Sequence, residues 1–385
     1  MHPRVHRAEW ARARFGALAE RSFAALERCD PPADALVEAL ASAHGHGFDL
    51  EAQWQAHVRG EPVLDAARSL FDAVAEVPDW VDWAAIAEAP ALFERGGMFG
   101  GLVLSLRSLM GGYTAPAGNK PLMFTGQLRK HAPRRVAETV RFVTAVCAPD
   151  GMRQGQPGWL ISLRVRLMHA QVRRLLWASG RWDRERWAEP INQHDMLATM
   201  LLFSEVYVEG LRLFGFDVSS REAECWIALW RYVAWVMGTE AELLPRDFAE
   251  AQALTELIGE TQGPPDEDSR ALAAALLAPP ESLIAEATLP ARTLFRARAR
   301  IAHGLCRMLI GDVVADQLGV DQAPVLSTLL PAVPKTIATV EQVRQVVPAI
   351  VESQRELGRR YWTWVEEVSL GGRPARFARP QGLAG

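Results

Sequence analysis

One stretch limits the possible folds more than any other. Between Trp159 and Trp177 the chain runs nineteen residues without a proline or a glycine. The spacing predicts a helix in which successive residues turn by about 100°. Leu160, Ile161, Leu163, Leu167, Met168, Val172, Leu175 and Leu176 then cover a wide apolar arc. His169 falls at the edge of that arc beside Val165 and Leu176, with Arg166 and Arg173 three residues before it and four after it on the same side.

An imidazole near apolar surface with two flanking guanidinium groups suits a haem. That group needs an axial imidazole, apolar walls for its macrocycle and cations for its two propionates. The plain alternative is a core histidine with a satisfied hydrogen bond, and spacing alone leaves both readings open.

The surrounding sequence supports an all-α chain. Apolar residues recur at helical spacing, nowhere alternating in β-branched runs bounded by hairpin turns, and no repeat of solenoid length is present. Residues 7–28 read as one exposed amphipathic helix ended by Asp30-Pro31-Pro32, with a second helix from about Ala33 and a third from Leu64 to Val77. His44 and His46 lie in a glycine-rich loop that offers no preorganised third metal ligand. Gly96-Gly97-Met98-Phe99-Gly100-Gly101 lacks the spacing of a nucleotide loop and reads as a close approach between helices or to a cofactor. Tyr113 to Asn119 reads as a turn, and a helix opens at Pro133. Asn192 followed by Asp195 reads as an N-cap, with His194 facing solvent. Further helices are expected over Trp226–Met237, Leu294–Leu318 and Ile337–Val368, the last kinked at Pro348, with a disordered tail over 371–385.

Charge and cysteine content narrow the function classes. Forty-two basic residues stand against forty-six acidic ones, so no global field draws in nucleic acid or an anionic membrane. The four cysteines, Cys29, Cys147, Cys225 and Cys306, are widely separated and form no metal-binding spacing. That pattern, together with the absence of a signal sequence or a charge-free span of membrane length, suggests reduced thiols and a cytoplasmic setting.

Several short segments together resemble the MpaB/latex clearing protein (rubber oxygenase) family. In order they are Val77-Pro78-Asp79-Trp80-Val81, Thr125-Gly126, Arg135-Val136-Ala137-Glu138-Thr139, Val165 to Arg173, Pro190-Ile191-Asn192-Gln193 and Trp230-Arg231. The resemblance covers roughly residues 77–320. It implies a globin-like helical core enclosing one b-type haem and cleavage of carbon–carbon double bonds in isoprenoid chains with dioxygen as co-substrate. It makes His169 the proximal iron ligand, Arg173 a structural or propionate-binding cation beside it, and Arg135 and Thr139 the distal-side pair, thirty-four and thirty residues before the histidine. Arg166, one turn from His169, joins Arg173 as a candidate cofactor-binding cation.

Two departures matter. Glu138 stands where latex clearing proteins can place a lysine on the iron, and the position of the family's proposed glutamate base falls on Gly118-Asn119-Lys120, which has no acid. Glu138 could take over proton transfer if burial raises its pKa, or form an ion pair with Arg134, Arg135 or Arg141. The expected organisation is an N-terminal helical extension over 1–76, a haem-binding catalytic domain over 77–335 and a C-terminal helix over 336–370. The expected function is a b-haem oxygenase acting on a small apolar, unsaturated isoprenoid- or lipid-like substrate. The alternative is a non-catalytic haem-binding sensor, carrier or gas-binding protein. The sequence does not set an oligomeric state.

Overall fold

The computed structural model describes residues 1–42, 48–125, 127–278 and 289–370, and every regular element among them is helical. The Gly45-flanking histidines and the tail 371–385 lie outside the described residues. No helix among the described residues is long and apolar enough to cross a membrane.

The Trp159 stretch forms the helix Pro157–Ala178, opened by a proline in its first turn. It is a central element. Pro31–Ser42 lies along one side of it, Gln127–Val146 along another, and Ser220–Val236 also packs against it. Ser220–Val236 owes its start to a full capping box, in which Ser219 accepts from the Glu222 backbone and Glu222 reaches back to the Ser219 N–H. Its Trp226 and Trp230 are fully buried. Trp230 packs on Phe142 of Gln127–Val146, while Arg231 lies 4.1 Å from the centre of the Trp80 ring. Two of the family-like motifs therefore meet as packing contacts.

The expected N-terminal helix is two helices, Ala8–Phe15 and Ala17–Ala24, because Gly16 takes a φ of 54° between them. The expected turn at Tyr113–Asn119 is instead largely the helix Pro116–Phe124. Asn119 inside it donates to the Tyr113 carbonyl at 2.8 Å and is buried. The Arg135 helix begins at Gln127, six residues before Pro133. Leu294–Leu318 is realised as Leu289–Ile310 and Asp312–Gln317, parted at Gly311.

The glycine-rich stretch mediates a close helix contact. It sits in Pro90–Val103, and the C-terminal helix Pro348–Leu370 is packed against it so tightly that a Cβ at Gly358 would overlap the Glu94 carbonyl oxygen. Gly97 adopts a φ of 44° at this crossing. Trp362 donates to the Phe93 carbonyl at 3.2 Å and stacks on the Phe93 ring. The expected kink at Pro348 is a break between two helices, Ala332–Val346 and Pro348–Leu370. Arg95, almost fully buried, pairs with Glu341 of the first of these and with Glu222 at 2.7 Å.

Candidate functional site

His169 sits midway along Pro157–Ala178, on the border between two faces. Arg166, Leu167, Ala170 and Arg173 form the fully buried face, while Val165, Met168 and Leu175 remain only half covered, as does His169 itself. Pro116–Phe124, Gln127–Val146 and Pro157–Ala178 all touch one another, yet Leu122, Met123, Val140 and Val165 on them stay partly exposed to solvent. Helices that meet without covering their apolar side chains leave a place that an apolar group can complete.

The two arginines beside His169 differ. Arg166 donates through Nε and Nη2 to Asp30 at 2.7 and 2.8 Å and through Nη1 to the Val236 carbonyl at 3.3 Å. Each of its three nitrogens thus makes a bond that fixes it in the fold, with Asp30 as its carboxylate partner. Arg173 donates through Nε to Asp34 at 2.7 Å and through Nη1 to the Ile191 carbonyl at 3.3 Å. Its Nη2 is buried and finds no acceptor among the described residues. A buried N–H without a partner is costly, and a carboxylate reaching it would satisfy it.

In the sequence Asp30 stands out only as a helix terminator and Asp34 not at all. Their spacing, four residues apart at the start of Pro31–Ser42, was the available signal, since it places both acids on one helical face. Burial pushes the Asp34 carboxyl above its ordinary value, against the opposing pull of the Arg173 guanidinium.

The Pro190-to-Gln193 motif holds Arg173 from the other side. Ile191 has a φ of 49°, a left-handed conformation that costs a β-branched residue of order 1–3 kcal/mol. That turn aims its carbonyl at Arg173. Asn192 caps the next helix, accepting from the Asp195 N–H at 2.9 Å as expected. Gln193 ties the corner to the Cys29 and Gly238 carbonyls at 2.8 and 2.9 Å.

His194 contradicts its expectation. It is buried, with Nδ1 within 3.0 Å of the Ser22 hydroxyl and 3.1 Å of the Ser22 carbonyl. Burial lowers its pKa to about 4, Arg4 adding to the shift and Asp195 opposing it. The long-range contact with the helix Ala17–Ala24 left no local trace in the sequence.

On the opposing helix, Arg135 and Thr139 stand four residues apart, with Glu138 between them. The Arg135 side chain lies outside the described residues. Glu138 is half-buried and Thr139 exposed. Where a catalytic glutamate was expected to be missing, Asn119 donates to the Tyr113 carbonyl and lies 3.3 Å from Ser269, and Lys120 is paired with Asp266 and Asp268. A polar cleft of about 480 Å³ opens at the far end of the His169 helix beside Cys29, Trp177 and Trp182. There Arg184 and Glu189 pair with each other.

Comparison with known proteins fits this architecture. The family described as "ER-bound oxygenase mpaB/B'/Rubber oxygenase, catalytic domain" matches residues 83–342. Rubber oxygenase from Streptomyces sp. (strain K30) is 23% identical over 296 residues, spanning 71% of this chain and 70% of that protein. Latex clearing protein in its closed state superposes with a TM-score of 0.65 at 21% identity, over 88% of this chain and 91% of the other. Because the family match takes in well over half of the chain, including His169 and the helix facing it, the protein belongs to the oxygenase family of the MpaB proteins and rubber oxygenases.

Proposed function

We propose that this member is a b-haem oxygenase that uses dioxygen as co-substrate on an apolar, unsaturated isoprenoid- or lipid-like molecule. The observation that carries the proposal is His169, half-buried at the edge of incompletely covered apolar surface, with the unsatisfied Arg173 Nη2 one turn further along the same helix. These residues fit the group: a neutral imidazole to donate to iron, apolar side chains for the macrocycle and a buried N–H for a propionate. The bound haem would supply the redox-active iron at which dioxygen is activated.

The chain's own residues divide the remaining work. His169 would give a ring nitrogen to the haem iron, and Arg173, itself held by Asp34 and Ile191, would hold one of its acid groups. Arg135 and Thr139, on the facing helix, would supply a guanidinium and a hydroxyl, donor groups of the kind that stabilise a negatively charged oxygen. The Glu138 carboxyl would be the group able to give or take a proton on that helix. The apolar side chains of the three meeting helices bind the substrate and exclude water. The similarity to a rubber oxygenase supports an isoprenoid chain as the substrate class.

The test is spectroscopic. Protein from haem-supplemented cells is expected to show a Soret band that His169→Ala shifts or removes, and a spectrum without one, or one indifferent to the substitution, would refute the assignment. A second reading, haem binding without turnover, draws on the missing acid at Gly118-Asn119-Lys120 and the exposure of Thr139. Oxygen uptake with an unsaturated isoprenoid, with carbonyl products found by mass spectrometry, decides for the oxygenase. Haem binding with no uptake decides for the second reading.

A further inference from the structure

We propose that the C-terminal helix pair is a self-association surface, docking antiparallel on the same face of a second copy of this chain. From Val340 to Val368 apolar residues recur at alternating steps of three and four, Gln354 being the one polar member. Within the continuous helix Pro348–Leu370 that 3.5-residue spacing runs through Ile350, Gln354, Leu357, Tyr361, Trp364 and Val368, the pattern of a helix seam that meets another helix. The chain's own core takes only one edge of this seam, Tyr361 lying half-buried against Gly101. Pro348–Leu370 is anchored through other residues, with Gly358 against Glu94, Trp362 on Phe93, and Arg355 and Arg359 paired with Glu94. The other edge is left in solvent: Leu357 is 67% exposed, Trp364 57%, Val368 59% and Val343 43%.

Charge selects the occupant. The exposed charged positions along the helix include Glu352, Arg360 and Glu367, a mixture rather than the basic face that draws a helix onto lipid headgroups. That mixture is self-complementary. About a two-fold axis between Tyr361 and Trp364, Leu357 meets the partner's Val368, Tyr361 meets the partner's Trp364, and Arg360 comes opposite the partner's Glu367. Each contact occurs twice, as a two-fold interface requires. The shared seam from 357 to 368 is roughly 17 Å of helix. That is short of a standard interface, so the dimer is weak and concentration-dependent.

Sedimentation velocity from about 10 to 300 µM tests this. The weight-average mass is expected to climb toward twice that of the chain. Leu357→Glu combined with Trp364→Glu should weaken association at least tenfold, with circular dichroism and melting temperature showing the fold retained. Arg360→Glu should also weaken it, and adding Glu367→Arg should restore it. A chain monomeric throughout, association indifferent to the double glutamate variant, or failure of the charge swap would overturn the proposal. So would monomeric protein captured by phosphatidylcholine vesicles, which would make the seam a lipid contact.

Discussion

Replacing Glu205 by glutamine should stabilise the protein, and only above acidic pH. Glu205 opens the helix Glu205–Leu213, is almost fully buried, and leaves Oε2 without a partner. Burial raises its pKa from 4.5 to about 7, with Glu209 acting in the same direction and Thr255, Arg107 and Arg212 opposing. Between those two values the folded protein keeps a proton that the unfolded chain has lost, so stability falls as pH rises. At 1.36 kcal/mol per pH unit the full penalty is about 3 kcal/mol, complete above pH 7 and absent below pH 4.5. His194 acts with the opposite sign. Its folded pKa of about 4 lies below the ordinary 6.5, so the unfolded chain binds the extra proton and stability rises with pH between those values, again by about 3 kcal/mol. The two slopes oppose each other from about pH 4.5 to 6.5, and their sum in the parent protein is close to flat. Glu205→Gln removes one of them, so the variant's stability should climb through that interval and exceed the parent's by up to about 3 kcal/mol at pH 8. Urea unfolding followed by the fluorescence of the thirteen tryptophans, at half-unit steps from pH 4.5 to 8, measures this directly. A difference between variant and parent that does not change with pH, or a variant weaker at pH 8 than at pH 4.5, would refute the reasoning.

Two further predictions concern how the His169 helix and the C-terminal helix are held. Asp30→Ala leaves the Arg166 guanidinium buried without its carboxylate and should cost about 3–5 kcal/mol, read as a lower urea midpoint; an unchanged midpoint would show that the pair is dispensable. Gly358→Ala puts a methyl group into the Glu94 carbonyl and should cost roughly 3 kcal/mol, with proteolysis cutting early around Val347. A protein with unaltered melting and digestion would deny the close crossing.

What could be read from the sequence was local. The His169 helix announced itself by a long run without breakers, the Asn192 cap by a polar residue three before an acid, and the Pro348 break by the ring that cannot continue a helix. What escaped was set by partners far along the chain. Arg166 and Arg173 looked free because their carboxylates lie well over a hundred residues upstream. His194 looked exposed because Ser22, which buries and binds it, comes 172 residues earlier. The segment at Pro116 read as a turn from its proline and glycine, yet proline at the first helical position favours a helix start, and Asn119 is stabilised from within by Tyr113.

These long-range pairings explain why motifs separated in sequence travel together. Val77-to-Val81 supplies Trp80, on which Arg231 of the Trp230-Arg231 motif lies, and Trp230 braces the helix carrying Arg135, Glu138 and Thr139 through Phe142. Pro190-to-Gln193 carries the strained Ile191 whose carbonyl holds Arg173 on the helix of His169. The Trp230-Arg231 and Pro190-to-Gln193 motifs thus each brace one of the two facing helices. These braces act through ring packing and backbone carbonyls and do not pass through Glu138 or Gly118-Asn119-Lys120, so the scaffold is set apart from those positions. Fold and chemistry are therefore separable in this chain, and oxygen uptake with an unsaturated isoprenoid measures the second independently of the first.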